Sequence, residues 1–80
     1  MARYLLHHRH EPRQCGVAYA AFRGHASPLR RSSTFASCRS GGHEIWWLVD
    51  ADSPDDALDQ LPHFVATRST ATPITEVQIP

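Results

Sequence analysis

Five side chains able to ligate a transition metal stand where one simple chain path would bring them to the same end of a sheet: His8, His10, Cys15, Cys38 and His43. Imidazole nitrogen and thiolate sulfur are preferred ligands of zinc and of its neighbours nickel and copper. His8 and His10, at i and i+2, share one face of a strand about 7 Å apart, a chelating separation. Cys38 and His43 bracket the turn Arg39-Ser40-Gly41-Gly42, so they can face each other across a hairpin with Cβ atoms about 5 Å apart. Cys15 opens a helical segment, whose positive end lowers a thiol's pKa. These five residues are the expected ligands of a divalent transition metal, zinc foremost, in a spacing unlike the familiar zinc fingers. The same residues have a second reading, with the cysteines as small core hydrophobes and the histidines as a polar rim.

Convergence of these residues demands particular elements. Arg3 to His10 reads as a strand with Tyr4, Leu6, His8 and His10 on one face and Leu5, His7 and Arg9 on the other. Glu11-Pro12 turns the chain into a helix carrying Cys15, Ala18, Tyr19 and Phe22, which stops at Gly24. After the loop His25 to Ser32, Thr34 to Cys38 forms a second strand and His43 to Ala51 a third. Ser53-Pro54-Asp55-Asp56 is a helix start: a capping hydroxyl, proline at the first turn, and carboxylates at the positive end of the dipole. Pro62 ends or kinks that helix, His63 to Ala66 adds a turn, and Ile74 to Ile79 alternates as a last strand. The order βαββαβ closes, with right-handed crossovers, as a ferredoxin-like α+β domain spanning 1–80, with antiparallel strand order 4-1-3-2 and both helices on one face.

Eighty residues suffice for one small domain. A chain this short buries only about 60 to 70% of its unfolded surface and leans on a partner, a metal or disulfides. Eight arginines balance eight acidic residues, and there is no lysine. A zero net charge provides no global field for nucleic acid or an anionic membrane. Arginines concentrate in Arg3 to Arg39 and acids in Asp50 to Asp59, which reads as solvated faces. The arginine- and alanine-rich usage suggests a GC-rich bacterial gene. No apolar run approaches the roughly 20 residues of a membrane helix, and His7 interrupts the opening segment too early for a signal peptide. A cytoplasmic protein with free or metal-bound thiols is expected.

Consecutive Trp46 and Trp47 must point to opposite sheet faces. One lies under the helices; the other faces water unless covered, since a tryptophan buries some 150 to 250 Å². A homodimer packed sheet to sheet covers it, and a bound apolar small molecule is the rival solution. The second half of the chain, from Gly42-His43-Glu44-Ile45-Trp46-Trp47-Leu48-Val49-Asp50-Ala51 through Ser53, Leu58, Leu61-Pro62 and Thr72-Pro73-Ile74-Thr75-Glu76-Val77, resembles the muconolactone isomerase-like group of the dimeric α+β barrel superfamily. The resemblance implies sheet-to-sheet oligomers, a pocket between helices and sheet, and a double-bond shift by proton transfer without a metal. The first half, with His8-Arg9-His10 and Cys15, departs from that group.

Three functions follow as expectations. The first is a metal-binding protein of dimeric α+β barrel type. The second is a metal-free isomerase or small monooxygenase acting on an aromatic-derived acid, with His8 or His10 as general base. The third is a non-catalytic ligand-binding module. The remaining candidates read blandly: His7 as a solvent or interface residue, His25 as a loop residue, His63 as a helix-end cap, and Arg30-Arg31 as an exposed basic pair.

Overall fold

A computed structural model describes residues 1–80. Its centre is β1 (Ala2–Arg9), paired antiparallel with β3 (Glu44–Ala51) on one side and β4 (Ser69–Ile74) on the other. β2 (Phe35–Ala36) adds two residues to the outer side of β3, so the order is β2-β3-β1-β4. That order is the ferredoxin-like arrangement. The barrel part of the expectation is overturned: the sheet is open, with a two-residue strand at one edge and β4 at the other. No helix is long and apolar enough to cross a membrane.

Alternation fixes which face is core. Tyr4, Leu6 and His8 of β1 are buried, as are Ile45, Trp47, Val49 and Ala51 of β3, while Arg3, Arg9, Leu48 and Asp50 of the opposite set are exposed. Opposed residues of an antiparallel pair share a face, and the register Leu6↔Trp47 and His8↔Ile45 stacks the buried sets side by side. Ala57, Leu61 and Val65 complete the core from the helical layer.

Local signals set the helices. Ser53 Oγ accepts the Asp56 N–H at 3.1 Å and starts α2 (Pro54–Leu58). Buried Pro62 precedes α3 (His63–Ala66), so His63 begins a helix rather than capping the end of one. A 3₁₀ turn, Pro12–Gln14, with reciprocal capping between Glu11 and Gln14, leads into α1 (Cys15–Ala20). α1 buries only Ala18.

Two strands differ from expectation. β2 stops at Ala36 because Ser37 begins a tight 3₁₀ turn, Cys38–Ser40, that ends on left-handed Gly41. β4 begins five residues early, at Ser69, directly after α3, and small Ser69 and Ala71 occupy its core-side positions opposite His8 and Leu6. Thr75 to Pro80 lies outside any strand. Trp46 is the tryptophan on the open face; the His7 ring stacks on it at 5.2 Å, nearly parallel, and leaves it half-buried. Part of the cover demanded by the tandem tryptophans therefore comes from within the chain.

Candidate metal centre

Three chain segments meet where β1 ends. His10 follows β1 and its N–H donates to the His43 carbonyl at 3.1 Å, which ties the two residues by backbone. Cys15 opens α1 beneath them. Cys38 and His43 stand on the turn between β2 and β3. The turn is held closed: the Ser37 N–H donates to the Glu44 carbonyl at 2.8 Å, and the Glu44 N–H donates back to Ser37 Oγ at 3.1 Å. A side chain at Gly42 would collide with that of Ser37, so glycine is required there. His43 adopts a left-handed backbone, φ 54°, which aims its ring inward from the turn rather than along β3 as a strand residue would.

The donor atoms of His10, Cys15, Cys38 and His43 all lie within 4.8 Å of one another. Cys15 Sγ is 3.3 Å from His10 Nε2 and 3.1 Å from His43 Nδ1, and Cys38 Sγ is 3.7 Å from His10 Nε2. Tetrahedral zinc, with bonds of about 2.1 Å to nitrogen and 2.3 Å to sulfur, holds its ligand atoms roughly 3.5 Å apart. The cluster is thus a two-imidazole, two-thiol set already near coordination spacing, able to hold a metal ion.

His8 stands behind this group. Its Nδ1 lies 3.2 Å from the Val65 carbonyl, which can only accept, so Nδ1 carries the proton. Ser69 Oγ spends its own proton on the same carbonyl, at 2.6 Å, and is left to accept from His8 as well. The bare Nε2 of His8 then accepts from His10 Nδ1–H at 2.9 Å. That bond leaves the lone pair of His10 on Nε2, the atom that faces both sulfurs. Burial holds both imidazoles below the usual histidine range, which keeps them neutral near pH 7.

Burial, then the neighbouring Cys38 sulfur, pushes the Cys15 thiol upward. The lowering expected at a helix start is not what the site shows: burial and Cys38 set the direction. Tyr19 donates its hydroxyl to Cys38 Sγ at 3.6 Å, a bond that also raises the tyrosine's own pKa. Tyr19 lies one helical turn from Cys15, a spacing that could have flagged it; nothing local in the sequence marks Val65 or Ser69.

The other histidines lie elsewhere. His25 Nε2 meets the Gln60 carbonyl at 3.2 Å, and His63 is exposed. His7 bonds Glu44 Oε1 at 2.6 Å on the open face, beside Arg9 at 3.1 Å, and these two contacts hold the Glu44 carboxyl below its ordinary range.

No protein-family model matches the chain, and no curated protein or solved structure matches it either. The muconolactone isomerase-like resemblance is accordingly set aside, and with it the barrel-type metal protein and the metal-free isomerase or monooxygenase. The geometry removes His8 from the role of general base, since it has no exposed surface and both of its ring nitrogens are engaged.

Proposed function

We propose that this domain binds one divalent transition metal ion, zinc by preference, through His10 Nε2, Cys15 Sγ, Cys38 Sγ and His43 Nδ1. The observation that carries the reading is the convergence of four soft and borderline donors within 4.8 Å from three separate chain segments. Two nitrogens and two sulfurs in a tetrahedral spacing suit zinc better than the square-planar preference of copper(II) or nickel(II). Four protein ligands fill the coordination sphere, so the metal acts as a structural or carried ion, without the open position that hydrolytic zinc needs. His8 serves the site as a positioning residue: it fixes the tautomer and ring plane of His10, the role that carboxylates and carbonyls play behind other metal-bound imidazoles.

The test is titration of metal-free, untagged protein with zinc under a competing chelator, and with cobalt(II) as a spectroscopic substitute. One equivalent should bind, with sulfur-to-cobalt charge transfer and the visible bands of a tetrahedral site. Cys38→Ser and His10→Ala should lose that signal and His63→Ala should keep it. Binding at no better than millimolar affinity, or a signal indifferent to Cys38→Ser, overturns the reading.

A further inference from the structure

The tandem tryptophans ask for a second copy, and the structure locates where one fits. Thr75 to Pro80 leaves the sheet after β4 as an exposed segment in which Thr75, Val77 and Ile79 alternate with Glu76 and Gln78. This is a strand pattern without a strand. Val77 is 71% and Ile79 80% exposed, among the most exposed large apolar residues of the chain.

A strand without a partner lies at the other edge of the sheet. β2 pairs only with Ile45 and Trp46, so β3 is unpaired on that side from Trp47 onward. Backbone groups alternate sides along a strand. The Glu44 carbonyl accepts from Ser37 N–H and the Trp46 carbonyl from the Thr34 hydroxyl, so the even-numbered residues face outward. The Asp50 carbonyl is taken by Gln60 Nε2 at 3.1 Å. By this alternation the N–H and C=O of Leu48 and the N–H of Asp50 face the open edge. Beside them runs an apolar groove of about 460 Å³, lined on the sheet side by Leu5, Trp46, Trp47 and Leu48. Leu29 and Phe35, the latter 81% exposed, form its outer wall.

We propose that the Thr75–Pro80 segment of a second copy adds as a strand to this edge, setting Val77 and Ile79 into the groove, and that two copies exchange these segments reciprocally. The chain's own segment cannot do so. From β4 to the outer side of β3 is three strand spacings, about 14 Å, whereas Val77, three residues past the end of β4, reaches only about 10 Å from it. Charge agrees. The loop walling the groove carries Arg30 and Arg31, neither in an ion pair, and the segment brings Glu76, which has none either. Main-chain bonds along an open edge, with alternate side chains in pockets, are the usual means of strand addition.

Size-exclusion chromatography with light scattering on the metal-loaded chain should give twice the 9.0 kDa monomer mass. Deletion of residues 75–80, and separately the double change Val77→Asp with Ile79→Asp, should each give a folded monomer, as should Leu48→Lys in the groove. Mixing decides between arrangements. The deleted chain keeps its groove and the Leu48→Lys chain keeps its segment, so the two monomers should combine one to one. A monomeric parent at several hundred micromolar overturns the proposal. A dimer that survives the deletion, or two monomers that fail to combine, assigns the contact to symmetric edge pairing or to the open face and overturns it equally.

Discussion

Replacing His8 by leucine removes the relay behind His10 while leaving the metal ligands and most of the buried volume in place. In the parent, His10 Nδ1–H has one acceptor, His8 Nε2 at 2.9 Å, and His10 is only 5% exposed. With leucine at position 8 the metal-bound form, which needs the lone pair on Nε2, must keep Nδ1–H buried without a partner. An orphaned buried donor costs about 1–3 kcal/mol. The metal-free form escapes by moving the proton to Nε2, where a thiol faces it. The cost therefore falls mainly on the metal-bound state and appears as lost affinity, roughly 5- to 150-fold at 1.4 kcal/mol per decade. That range brackets the 10- to 100-fold effect of removing orienting partners from metal-bound imidazoles.

His8→Gln is the discriminating companion. Its amide can donate to the Val65 carbonyl and accept from His10 Nδ1–H, so it should recover most of the affinity that leucine loses. Chelator competition reads the affinities. Long-range ¹H–¹⁵N correlation on the metal-free parent reads the tautomers, with the proton expected on Nδ1 of both His8 and His10. A folded His8→Leu protein within twofold of the parent would refute the relay, as would a His8→Gln protein that falls as far as leucine.

Acid should weaken the metal-free fold. His8 and His10 are held below their unfolded pKa of about 6.5, so the unfolded chain binds the extra proton; stability is full above that pH and drains as pH falls toward the folded values, at up to about 1.4 kcal/mol per pH unit for each imidazole. Urea midpoints near pH 7.5 and pH 5.5 check this, and a parent as stable at the lower pH would contradict the burial argument. Gly42→Ala should displace Ser37 and with it the turn that carries Cys38 and His43, lowering zinc affinity by about tenfold or more with the β1–β3 core intact. Hydrogen exchange with and without zinc should protect the amides of residues 15–20 and 37–43, with little change in the central pairing of β1 with β3.

Much of the framework was legible because it rests on local chemistry. Alternation from Tyr4 to His10 put the correct side chains under the helices, and Ser53-Pro54-Asp55-Asp56 marked a helix start now seen with its cap bond. The strand order followed from handedness and connection length. Misreadings came where tertiary context decides. Ile74 to Ile79 carries the better alternation, yet the sheet uses Ser69–Ile74, because small residues are what fit opposite His8 and Leu6 beneath α3. His8 and His10 look equivalent at i and i+2. Only the Val65 carbonyl, 57 residues away in sequence, makes one of them a support for the other. Cys38 and His43 meet the site through a 3₁₀ turn and a left-handed residue, not as a facing strand pair.

The distribution of burial gives the metal a physical task. The core cluster draws on β1, β3 and the helical region from Ala57 to Val65, whereas nothing from Pro12 to Glu44 is buried except Ala18. That long stretch, including α1 and the two-residue β2, is held by few apolar contacts. Three of the four proposed ligands, Cys15, Cys38 and His43, lie within it, and the fourth, His10, is anchored to the well-packed β1 and, through His8, to the end of α3. A bound ion would pin the weakly cored segment to the strongly cored one at three points. Since a site preformed in the folded chain is absent from the unfolded one, its binding free energy is folding free energy. In a chain of this size that term rivals the core itself, and it falls on the part of the fold that hydrophobic burial leaves least secured.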